Sequence, residues 1–154
     1  MTALRSRRAV AAFGAVSAGL LLLSACDKPT PMATVTVGTN SVSSQTACYN
    51  DGQQVSEADL TKCLKSKDNK SIKVAADDTV RFGVDPSIAD EGWTILLNGQ
   101  PLTESSKETY RTIPGSVFFN SQYGASGNST LVSIREGTTK VTGLWNFKFE
   151  KKAS

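Results

Sequence analysis

Lys140-Val141-Thr142-Gly143-Leu144-Trp145-Asn146-Phe147-Lys148-Phe149-Glu150, near the end of a 154-residue chain, decides the fold. In an extended backbone, successive side chains point to opposite faces. Val141, Gly143, Trp145, Phe147 and Phe149 therefore share one face, and Thr142, Asn146, Lys148 and Glu150 share the other. A heavy aromatic face backed by a polar one is the pattern of a strand with one side buried.

The same alternation recurs upstream. Val35 and Val37 lead into a turn at Gly38-Thr39-Asn40, and a second run covers Ser41–Tyr49. Ile72/Val74/Ala76 turns at Asp77-Asp78 into Val80/Phe82/Val84. Trp93/Ile95/Leu97 meets Asn98-Gly99, a two-residue hairpin signal because both positions accept positive φ. Tyr110–Ile113 and Ser116–Asn120 read as weaker strands around Pro114-Gly115, and Ser129–Arg135 reaches the last strand through Glu136-Gly137. Frequent turns between eight or nine short strands predict a single, mostly β, antiparallel sandwich over residues 34–150, with a basic tail at 151–154.

One segment departs from period two. Ser56-Glu57-Ala58-Asp59 fits the start of a capped helix, after which Leu60, Cys63 and Leu64 fall on one helical face. A short helix is expected over Glu57–Lys65.

The N-terminus is of another kind. Met1–Arg8 is basic, Ala9–Leu23 is apolar, and Leu23-Ser24-Ala25-Cys26 puts small residues directly before a cysteine. The stretch is too short for a durable membrane span. It resembles the lipobox of a bacterial lipoprotein precursor. That resemblance implies a signal peptide over 1–25 cut between Ala25 and Cys26, and a diacylglyceryl thioether on Cys26 with acyl chains such as palmitate. Two or more chains suffice for stable anchoring. Residues 26–33 become a lipidated N-terminus and short linker, of which the seven residues Asp27 to Ala33 span at most about 25 Å. Ser6-Arg7-Arg8-Ala9-Val10 also resembles a twin-arginine signal, although Val10 stands in place of the favoured phenylalanine and the apolar stretch suits the general secretory route better. The expected place is the extracytoplasmic face of the cell membrane.

Processing changes the electrostatics. Arg5, Arg7 and Arg8 leave with the signal, so the 17 basic side chains fall to match the 14 acidic ones. No basic surplus remains to meet phosphate, and nucleic acid is not an expected partner. There is no histidine. The usual triads and most zinc sites go with it.

With Cys26 assigned to lipid, Cys48 and Cys63 remain as an even pair in an oxidising compartment, and a disulfide between them is expected. Their spacing differs from that of immunoglobulin domains, so the sandwich is immunoglobulin-like in architecture only.

The candidate contact surface lies in Tyr110–Asn128. If Ser116–Asn120 is extended, Phe118 and Phe119 point to opposite faces and one is exposed. The loop after them, with Tyr123, is rich in Tyr, Ser, Gly and Asn, a mixture used by adaptable binding loops. Tyr110, Phe118, Phe119 and Tyr123 are the candidate residues, weighed against a plain β–β connection with both phenylalanines packed. Asp85, Asp90 and Glu91 precede Trp93 in a spacing that fits turn chemistry better than calcium, so neither metal nor cofactor is expected. Ala47-Cys48-Tyr49-Asn50-Asp51-Gly52 and Gly92-Trp93-Thr94-Ile95-Leu96-Leu97-Asn98-Gly99-Gln100-Pro101 resemble small actinobacterial cell-envelope lipoproteins, which implies an anchored domain and brings no catalytic residues. The expected function is non-enzymatic: a lipid-anchored module contacting an envelope protein or cell-wall polymer. A small-ligand carrier is the alternative.

Overall fold

The computed structural model describes residues 29–153. The signal peptide, the cleavage point and Cys26 lie outside the described residues.

Among the described residues ten strands form two sheets that pack face to face, as the alternation predicts. The first sheet holds β1 (Ala33–Val37), β2 (Asn40–Ser44), β5 (Thr79–Val84) and β8 (Tyr110–Pro114) in the order β2-β1-β5-β8. The second holds β3 (Cys48–Tyr49), β4 (Lys70–Val74), β6 (Trp93–Leu97), β7 (Gln100–Pro101), β9 (Ser129–Glu136) and β10 (Gly143–Lys151). Its order is β3-β10-β9-β6-β7, with β4 also on β10.

The alternating faces meet between the sheets. Val35, Val80 and Phe82 come from the first, and Ile95, Val132, Ile134, Trp145, Phe147 and Phe149 from the second, all fully buried. Each such side chain withdrawn from water contributes roughly 1.5–3 kcal/mol. Asn98 and Gly99 take φ of 50° and 83°, the positive values the hairpin turn demands.

Helix α1 (Glu57–Leu64) forms where expected. The Ser56 Oγ accepts a hydrogen bond from the Asp59 N–H at 3.1 Å and donates to Asp59 Oδ2 at 2.6 Å. Ser56 and Lys62 hold the Asp59 carboxyl below its usual value, the hydrogen bond from Ser56 contributing most.

Four local readings are corrected. The run Ser41–Tyr49 divides into β2 and β3, which belong to different sheets. Ser116–Asn120 is not a strand: a 3₁₀ helix occupies Gly115–Phe119. The last strand begins at Gly143, because Lys140–Thr142 still belongs to the turn, where the Thr142 N–H donates to the Glu136 carbonyl at 3.2 Å. Asp85-Pro86 opens a second helix, α2 (Pro86–Glu91), with proline in its first turn.

One pairing is parallel. β3 runs antiparallel to the first half of one edge of β10, and β4 runs parallel to the second half. Between them the chain turns back and sends α1 over the outer face of the second sheet. Leu144, Asn146, Ser133, Thr94 and Leu96 point outward from that sheet yet are buried.

Candidate functional site

The sandwich has two ends of different character. At one end lie the start of β1, α2 and the turn before β10; at the other lie the Tyr123 loop and the end of β10.

The first end is fastened to the N-terminal segment. The Trp145 Nε1–H donates to the Pro31 carbonyl at 2.9 Å, with both residues buried. The Met32 N–H donates to Asp85 Oδ2 at 2.8 Å, and the Asp85 N–H donates back to the Met32 carbonyl at 3.1 Å. Asp85 thus has a structural use, and it caps α2 with no side-chain bond to that helix. Asp90 and Glu91 are exposed at the far end of α2. Among the described residues no group of three or more Cys, Asp or Glu could hold a metal ion.

Beneath this end lies a buried acid that alternation alone did not single out. Glu136 is 2 % exposed and its Oε2 accepts from the Thr142 Oγ1–H at 2.8 Å. Gly143 makes room for it: a Cβ there would lie 2.9 Å from Glu136 Oε2 and 2.5 Å from the Trp145 ring. Tyr49, paired in register with Gly143, packs its ring on Trp145 with centroids 6.1 Å apart. Burial first, and then the negative charges of Glu136, Asp51 and Glu91, push the Tyr49 hydroxyl above its usual value. In the sequence Glu136 stands beside Gly137 in a turn signal, which hid its position as the inward residue after Ile134.

Cys48 and Cys63 are joined, with Cα atoms 6.0 Å apart. The bridge holds α1 against the edge of the second sheet. Asn146 Nδ2 donates to the Cys63 carbonyl at 2.7 Å, and Ser133 Oγ donates to Asn146 Oδ1 at 2.7 Å. Beside the disulfide runs an open groove of about 380 Å³ lined by Ala47, Tyr49, Val55 and Asp59 among others.

The four candidate contact residues do not form one patch. Phe118 is fully buried, its ring edge-on to Phe149 with centroids 4.8 Å apart and 5.9 Å from Phe82. It belongs to the core and leaves the candidate surface. Phe119 is half-buried against the same core. Tyr110 is 67 % exposed at the Pro31 end and Tyr123 is 50 % exposed at the opposite end.

In the 3₁₀ turn both rings meet the core, where a strand would send them to opposite faces. The loop carrying Tyr123 is itself well tied. Asn120 Oδ1 accepts from the Gln122 N–H at 2.9 Å, Gly124 closes the turn in the left-handed region, and Asn98 Nδ2 donates to the Gly124 carbonyl at 3.0 Å. Tyr123, Gln122 and Gly124 line an open groove of about 330 Å³ with Gln100, Pro101 and Leu102.

Among the described residues no helix is long and apolar enough to cross a membrane. No family model, no curated protein and no solved structure matches the chain.

Proposed function

We propose that the chain is an extracytoplasmic lipoprotein, anchored through lipid on Cys26, whose sandwich acts as a non-catalytic module that contacts an envelope protein or wall polymer. The observation that carries this reading is the exposed Tyr123, held on a hydrogen-bonded loop at the end of the sandwich opposite the N-terminal segment. A half-exposed aromatic on a stiff loop loses little conformational entropy on contact. The Cys48–Cys63 bridge supports an oxidising compartment. The absence of histidine removes the commonest general base from consideration.

A carrier of small ligands would need a hollow between the sheets. Trp93, Trp145, Phe82, Phe118, Phe147 and Phe149, each under 2 % exposed, fill that space, so no observation favours the alternative.

The test is cross-linking on intact producing cells, comparing the wild type with Tyr123→Ser. The proposal expects at least one captured species to disappear from the variant while its melting curve stays unchanged. An unchanged captured set with a folded variant removes Tyr123 from the contact surface.

A further inference from the structure

We infer that the Pro31 end of the sandwich rests against the bilayer that the lipid enters, and that Met32 and Tyr110 are the side chains that meet it. This rests on the lipoprotein reading above and adds an orientation and a contact face to it.

Two lengths exclude the inverted orientation. Pro31 is held by Trp145 and Met32 by Asp85, so the domain begins, mechanically, at Pro31. Only Asp27, Lys28, Pro29 and Thr30 separate it from Cys26. Fully extended, that leash reaches about 18 Å. The body of the sandwich is longer: the nine residues of β10 extend roughly 30 Å along it. If the Tyr123 end faced the lipid, Pro31 would stand beyond the reach of its own anchor. That pose is excluded.

The surface then selects the face. The exposed large apolar side chains among the described residues are Met32, Tyr110 and Tyr123. The first two are at the anchored end. Thr34, Gly83 and Tyr110 form one cross-strand row on the outer face of the first sheet, and Met32, exposed, precedes Thr34 by two residues. Gly83, between them, leaves that face open, with nothing within 4 Å of where its Cβ would be. Tyrosine suits the boundary between headgroups and acyl chains, since its ring is apolar and its hydroxyl wet.

Charge works against this contact. The anchored end carries Asp51, Asp85, Asp90, Glu91, Glu104 and Glu108 against Lys107, Arg111, Arg135 and Lys140, so acids still outnumber bases there. Contact therefore comes from Met32 and Tyr110, and it should weaken over anionic lipid and recover with salt, the reverse of a polybasic anchor.

The experiment uses the full chain purified from producing cells, with the lipid on Cys26 read by intact mass, reconstituted into phosphatidylcholine vesicles. A benzophenone amino acid replaces Tyr110 in one sample and Tyr123 in another. Lipid adducts at position 110 should exceed those at 123 severalfold, because the leash cannot bring the inverted end to the bilayer. Adding phosphatidylglycerol should lower the yield at 110 in dilute buffer, and salt should restore it. Equal adducts at both positions, or more at 123, on protein whose lipid is verified would overturn the orientation and leave the lipoprotein reading standing. A mass without lipid on Cys26 removes that reading, and the inference falls with it.

Discussion

Asn146, on the outer face of the last strand, donates from Nδ2 to the carbonyl oxygen of Cys63 at 2.7 Å, tying that strand to the last turn of α1. The same carbonyl also accepts from the Ser66 N–H at 3.1 Å, so Asn146 adds a second donor to the end of the helix. Asn146→Ala leaves it without this donor and also strips Ser133 of its acceptor. The expected cost is about 1–3 kcal/mol, read as a lower urea midpoint, with faster amide exchange over Leu60–Lys65.

The disulfide holds the same helix through the side chain of the same residue, Cys63. Replacing Cys48 and Cys63 together by alanine should cost about 3 kcal/mol, since the bridge closes a loop of 15 residues. Because both attachments secure α1, the losses should not add. A double-mutant cycle of the cysteine pair with Asn146→Ala should show a coupling of at least about 0.5 kcal/mol.

Gly143 and Gly83 give a matched contrast within strands. At Gly143→Ala the new methyl group meets the Trp145 ring and the Glu136 carboxylate, and an overpacked site typically loses about 1–3 kcal/mol. Gly83→Ala enters open space and should change stability by less than about 0.5 kcal/mol. Thermal melting of the two variants side by side checks this.

Phe118 and Tyr123 separate core from surface within one short segment. Phe118→Ala should cost about 3–5 kcal/mol by emptying the space among Phe82 and Phe149. Tyr123→Ala should stay within about 0.5 kcal/mol. Equal losses in the two melts would contradict the assignment of Phe118 to the core.

The strands were legible where one face is apolar and the other polar, because burial on one side imposes a period of two on the sequence. Trp145, Phe147 and Phe149 declare themselves in this way. Asn146 does not, because a polar residue that looks solvent-facing is here covered by α1, a tertiary event the strand's own pattern does not record. Phe118 and Phe119 misled for the opposite reason. Their apolar character was plain, but the tight turn at Gly115–Phe119 is set by distant backbone, including the Gly115 N–H donating to the Asp78 carbonyl at 2.7 Å. Asp85 likewise finds its use only in Met32, which is far away in sequence. The pairing of Cys48 with Cys63 follows in the sequence only from assigning Cys26 to lipid, which leaves these two.

Tyr49 should give the domain a pH dependence at the alkaline side. Its hydroxyl is pushed above the ordinary value in the folded state, so the unfolded chain ionises first as pH rises. Its contribution is full below the ordinary tyrosine value and is lost progressively above it, from about pH 10 upward. Urea midpoints measured from pH 8 upward should fall more steeply for the wild type than for Tyr49→Phe.

The position of β10 in the chain also governs when the protein can fold. The four strands of the first sheet are all present once Pro114 has emerged, and Cys48 and Cys63 can meet still earlier. The second sheet has to wait. β3, β4 and β9 all pair with β10, the last of the described strands in chain order, and Trp145, within it, is what secures Pro31, 114 residues earlier. A chain that emerges N-terminus first therefore spends its whole passage with sheet edges unsatisfied, and pairings this distant in sequence form slowly. β10 acts as a latch: until it arrives the sandwich has its parts but not its assembly, and a chain cut short before Gly143 never closes.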